Sequence, residues 1–138
     1  YSGHLDDYME RIDLILTSQS IPVTNEQLDD FALNLPSLLY FTSEAQETLG
    51  IREDVSNAIR NELYNKIRDK SEGTVADKNS AAELATQSEA IVAIAYKRAY
   101  RKVKLRVESA YEMLNSIKKV MTRRMSEVDI QRVDRSNR

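Results

Sequence analysis

The sequence predicts an all-α protein, a long antiparallel helical hairpin with short N-terminal helices, that oligomerises. Three observations carry this reading. Apolar residues recur at three- and four-residue steps through most of the 138 residues, the period of helices packed on one side. Gly 3 and Pro 2 are too few for a β-fold, where turns recur about every 8–12 residues. A hydrophobic share of 41% beside 30% charged residues fits one folded domain, not a disordered chain.

The first helix runs from Leu5 to about Thr17. Leu5, Tyr8, Met9, Ile12, Ile15 and Leu16 share one side, and Asp6, Asp7, Glu10 and Asp13 lie between them. Residues 18–22 break the pattern at Pro22. Thr24 and Gln27 then form a capping box for a short helix with Leu28, Phe31, Ala32 and Leu35 on one face. Pro36 is expected to stop or kink that helix and to sit in the first turn of the next.

A long helix is expected from about Ser37 to Lys70, along Leu38, Thr42, Ala45, Leu49, Arg52, Val55, Ile59, Leu63 and Ile67. Gly50 weakens its middle by about 1 kcal/mol relative to Ala. Residues 71–80 read as a loop, and Ser80 with Glu83 as the capping box of a last helix. That helix follows Leu84, Ser88, Ile91, Ala95, Ala99, Val103, Val107, Ala110, Leu114, Ile117, Met121, Met125 and Val128. Such length suggests a coiled coil or a hairpin. The chain thus divides into acidic N-terminal helices over 1–35, a hairpin over 36–130 with its loop at about 71–80, and a basic flexible tail over 131–138. Two helices of roughly 50 Å each expose more apolar side than short N-terminal helices can cover. Self-association is expected to bury the rest.

Catalysis finds little support. There is no cysteine, hence no thiol nucleophile, disulfide or zinc–thiolate site, and His4 is the one histidine. Asp6-Asp7, Asp29-Asp30 and Glu53-Asp54 are adjacent pairs, and neighbours on a helix point about 100° apart, so they read as solvated faces and not as metal ligands. No Gly-rich phosphate loop precedes a helix. We expect no enzyme activity, no metal and no cofactor. No apolar run spans a membrane, the first helix is acidic and unsuited to an anionic lipid surface, and no signal or transit peptide is visible. The expected location is the cytoplasm.

Charge is distributed unevenly. Residues 1–80 carry 7 basic and 15 acidic side chains, and residues 81–138 carry 13 and 7. Within Tyr96–Arg106 six cations fall in eleven residues. Lys97, Arg101 and Lys104 share one face at i, i+4, i+7, while Arg98, Lys102 and Arg106 form a neighbouring row. Tyr96, Tyr100 and Tyr111 flank them. Cations along a groove hold phosphates and flat side chains stack on unpaired bases, the combination of single-strand binders. The competing reading pairs these cations with the acidic first 80 residues and puts the tyrosines in the helix seam. Lys66 and Arg68 form a second, smaller cluster before the loop, where a helix C-terminus favours cations without any ligand. Lys118-Lys119 and Arg123-Arg124 read the same way. A helix–turn–helix with a basic recognition helix is not found.

About residues 35–130 resemble the phage recombination mediators of the UvsY type. The likeness is carried by Leu39, Tyr40 and Ala45 near the start of the long helix and by Lys66-x-Arg68 before a Gly-containing loop. In the last helix it is carried by Tyr100 and Val103, then Ala110 and Leu114-Asn115-Ser116-Ile117-Lys118. The acidic N-terminal helices and the density of the Lys97–Arg106 run depart from the family pattern. The resemblance implies a helical, ring-forming homo-oligomer that binds single-stranded DNA, with Lys66 and Arg68 as DNA contacts. It also implies a recombinase and a single-strand binding protein as partners. The expected nucleic-acid residues are therefore Lys66, Arg68, Lys97, Arg98, Tyr100, Arg101, Lys102, Lys104 and Arg106. The alternative is a phage structural or assembly protein of helical bundles that binds no nucleic acid, its cations paired with acidic faces across subunits.

Overall fold

The computed structural model describes residues 2–18 and 21–137. Those residues form four helices and no strand: α1 (Ser2–Thr17), α2 (Asn25–Lys70), α3 (Val75–Ala85) and α4 (Gln87–Ser136). The two long helices α2 and α4 pack against each other as an all-α hairpin. Of the expected break at 18–22, Gln19 and Ser20 lie outside the described residues, as does Arg138 of the tail.

Several boundaries differ from expectation, each for a physical reason. Pro36 does not end a helix but lies inside α2. It sits on the exposed side, while Leu35 and Leu39 flanking it are 0% and 2% exposed. Their burial outweighs the roughly 3 kcal/mol that an interior proline costs. The capping box of Thr24 and Gln27 is present, and it starts α2 itself: Gln27 N–H donates to Thr24 Oγ1 (3.1 Å) and Thr24 N–H to Gln27 Oε1 (3.0 Å).

The loop expected over 71–80 shrinks to 71–74. Gly73 takes φ 111°, the left-handed region open to glycine, and closes the turn. Directly after it Thr74 caps α3. Asp77 N–H donates to Thr74 Oγ1 and Thr74 N–H to Asp77 Oδ2, both at 3.2 Å. Ser80 and Glu83, expected to cap the last helix, are exposed residues within α3. Thr86 alone separates α3 from α4. Its N–H and Oγ1 both donate to the Ala82 carbonyl (3.1 and 2.8 Å), and its own carbonyl accepts from Ala90 N–H (3.0 Å). The tail expected to be flexible is helical through Ser136 and exposed throughout.

The chain divides into two compact units, 1–43 with 105–138 and 44–104. The first is a three-helix bundle. Leu5 and Ile12 of α1, Leu28, Phe31, Leu35 and Leu39 of α2, and Val107, Ala110, Leu114 and Ile117 of α4 are all buried. Tyr8 meets Phe31 edge-on with ring centroids 6.2 Å apart. Thr42 is fully buried beside this core, and its Oγ1 has no hydrogen-bond partner.

The second unit buries much less. Ala82, Thr86, Ala93 and Val103 are its buried residues. Its seam is built of small side chains: a Cβ added at Gly50 would stand 3.3 Å from Tyr100 Cε2. The expected stripe is wrong here at Leu84 and Ile91, which are 75% and 63% exposed. The reason is geometric. Every four-residue step on a helix drifts about 40°, so Ile91, three such steps before the buried Val103, has turned about 120° away from the seam. Val55 and Ile59 of α2 are exposed in the same way.

Two stability predictions follow from these positions. Ile117→Ala empties a site that is 0% exposed and should cost about 2–5 kcal/mol in a urea titration, whereas Leu84→Ala should change stability by less than about 0.5 kcal/mol. Thr42→Val removes a buried hydroxyl that bonds to nothing and should stabilise by about 1 kcal/mol, and a lower melting temperature would contradict it.

Candidate nucleic-acid interface

The basic run lies on α4 in the second unit, over Lys97–Lys104. α4 is helical there because its apolar and small residues meet α2, which leaves the cations the outward side. Val103 is buried and Tyr96, Ala99 and Tyr100 are half-buried, whereas Lys97, Arg98, Arg101, Lys102 and Lys104 are all exposed. None of these five is ion-paired with a carboxylate among the described residues; the ion pairs there are Lys66–Glu62, Arg68–Asp69 and Arg106–Asp6. Five positive charges with no acidic residue between them make a continuous positive strip about 10 Å long on one helix.

The structure separates the expected site residues. Arg106 belongs to the first unit, where its Nε donates to the Asp6 carboxylate of α1. This contact joins the acidic N-terminal helix to the basic last helix, so charges distant in sequence cancel within that unit. Arg124 is also engaged: its guanidinium donates to Asn25 Oδ1 (2.7 Å) and to the Val23 carbonyl (2.6 Å). It holds the start of α2 beside a cleft of about 390 Å³ that Leu28, Met121, Met125 and Val128 also line.

Lys66 and Arg68 stay in the second unit, near the end of α2. Gly50 fixes the level of Tyr100, and Arg68 lies about 27 Å further along α2. The two basic clusters therefore stand at different levels. Lys66 pairs with Glu62 at 3.3 Å, and Arg68 comes within 4.0 Å of Asp69. Both pairs are exposed, where such contacts contribute at most about 1 kcal/mol and yield readily to another anion.

Tyr100 is turned inward. Its ring edge lies over Gly50, which is why a glycine is tolerated in mid-helix there. Residue spacing puts Tyr100 one turn before Lys104, at the flank where the cation strip meets the seam. Tyr111, 52% exposed, belongs to the first unit.

No group of three or more His, Asp or Glu converges to hold a metal among the described residues, and no helix there is long and apolar enough to cross a membrane. Comparison with known protein families, with curated proteins and with solved structures gave no match to this chain.

Proposed function

We propose that the protein is a non-catalytic binder of single-stranded nucleic acid that acts as an oligomer. One observation carries the reading. Lys97, Arg98, Arg101, Lys102 and Lys104 stand exposed and without acidic partners, while Arg106, two residues beyond, is neutralised by Asp6. A strip of unpaired cations is unfavourable by itself, because like charges repel, and a polyanion relieves that repulsion by releasing its condensed counterions.

The strip holds phosphates and reads bases poorly. With Tyr100 turned toward α2, stacking adds little, and the binding is expected to be indifferent to sequence. One copy offers few contacts, and an assembly multiplies them through effective concentration. The resemblance of residues 35–130 to the UvsY-type mediators supports placing this binding in phage recombination. There the acidic α1 would face a recombinase or the single-strand binding protein that the recombinase replaces.

A second reading, a helical assembly protein that binds no nucleic acid, draws on the exposed Ile51, Val55, Ile59, Ile91 and Ile94. Fluorescence anisotropy with a labelled single-stranded oligonucleotide separates the two. For five phosphate contacts the affinity should fall roughly a hundredfold between about 50 and 200 mM salt. The triple variant Lys97→Ala, Lys102→Ala, Lys104→Ala should flatten the logarithmic salt slope by about 2. An affinity indifferent to salt, or a triple variant that binds like the parent, would sink the nucleic-acid reading.

A further inference from the structure

Within the second unit, α2 and α4 each carry an apolar strip outside the core of their common seam, with Ile59 at the seam's edge, where it lines a cleft with Ser88, Glu89 and Val92 of α4. On α2 it is Ile51, Val55 and Ile59, spaced i, i+4, i+8 and 56%, 51% and 49% exposed. On α4 it is Ile91 and Ile94, 63% and 51% exposed. A surface helix of a self-contained protein has one apolar stripe, and each of these has two. The second stripe needs a second partner.

The charges that continue the two strips are opposite. The α2 strip is preceded by Glu44 and Glu47, both exposed and without an ion pair among the described residues. The α4 strip is followed by Arg98 and Arg101. Read from the N-terminus, α2 runs from acid to apolar and α4 from apolar to base. The two orders coincide when the helices lie antiparallel.

The spacing agrees for Val55 and Ile59, and it leaves Ile51 level with Arg98. Laying Val55 level with Ile94 puts Ile59 within about 1.5 Å of the level of Ile91. The same register puts Glu47, about 12 Å from Val55 along its helix, within about 1.5 Å of the level of Arg101, about 10.5 Å from Ile94.

We propose that the partner of this surface is a second copy of the chain, its α2 outer strip docked antiparallel on the α4 outer strip of the first. The contact joins Val55 and Ile59 to Ile94 and Ile91, with Glu47 facing Arg101. The two surfaces differ, so the contact is heterologous and repeats head to tail from copy to copy. A parallel twofold pairing of either strip with itself would set like charge on like, and an antiparallel one would level Glu47 with Leu63 and Arg101 with Leu84, without the opposite charge that the heterologous contact supplies. The inference deepens the oligomeric part of the proposed function. It takes Arg101 into the contact and leaves Lys97, Lys102 and Lys104 at its edge.

The test is light scattering without oligonucleotide on the parent, on Glu47→Arg, on Arg101→Glu, on their equimolar mixture and on the double variant, with circular dichroism as the folding control. The parent should exceed the 15.8 kDa of one chain. Each single variant should fall to monomer with its helicity intact. The mixture and the double variant should both recover the parental size, because each restores opposite charges at every contact. A monomeric parent would overturn the proposal, as would single variants that keep the parental size or a mixture that stays monomeric. The Lys97→Ala, Lys102→Ala, Lys104→Ala variant keeps both Glu47 and Arg101 and should assemble like the parent. Loss of strand binding is thereby scored apart from loss of assembly.

Discussion

The packing of α2 on α4 is the constraint from which the other features descend. Most of the stability of a helix in a folded protein comes from packing, and each of these two gains its order from burying one side on the other. That side is used unequally. In the first unit large residues such as Leu35, Leu39, Leu114 and Ile117 fill it, and α1 adds Leu5 and Ile12 as a third wall. In the second unit the seam passes over Gly50, Ala82, Ala93 and the edge of Tyr100. Small side chains allow close approach but remove little surface from water. Several large residues of that unit, Ile51, Val55, Ile91 and Ile94 among them, consequently face outward, and the cations with them.

This arrangement explains why opposite charges are both cancelled and left over in the same chain. In the first unit, residues 1–43 carry 1 basic and 7 acidic side chains, and residues 105–138 carry 8 and 5. Folding brings these stretches together, and the Asp6–Arg106 contact is its direct expression. In the second unit the totals nearly balance, with 11 basic and 10 acidic side chains, yet the α4 segment holds five cations and one acidic residue, Glu89. The cations of 97–104 face outward on α4, and Glu44 and Glu47 are exposed on α2. Charge that a net value conceals is thus displayed by geometry.

The hairpin, the first helix and the Thr24–Gln27 cap were legible because each rests on local periodicity or on a two-residue hydrogen-bond exchange. Pro36 does not stop the helix because its cost is local, whereas the gain from burying Leu35 and Leu39 is tertiary. The α3 start was missed because two similar capping patterns stand six residues apart, Thr74–Asp77 and Ser80–Glu83. Only the backbone of Gly73 decides between them. The stripe failed at Ile91 because repeated four-residue steps wander around a helix, and at Leu84 because that residue belongs to α3, a separate helix from α4. Among the site residues, the exposure of Lys97–Lys104 follows from their spacing against Val103. The inward turn of Tyr100 does not, since it depends on the absence of a side chain at Gly50 on another helix. The engagement of Arg106 is invisible at short range, because its partner lies a hundred positions away.

That engagement sets a terminus. With Arg106 withdrawn by Asp6, the positive strip of the second unit begins at Lys97 and stops at Lys104, a span of about 10 Å. A nucleic-acid strand advances about 3.4 Å per residue along a helix axis, so under the proposed reading the strip of a single copy would span roughly three nucleotides. Under the proposed reading, occupancy grows in small, nearly equal increments as copies are added, and the number of copies, not the quality of any one contact, decides how firmly the strand is kept.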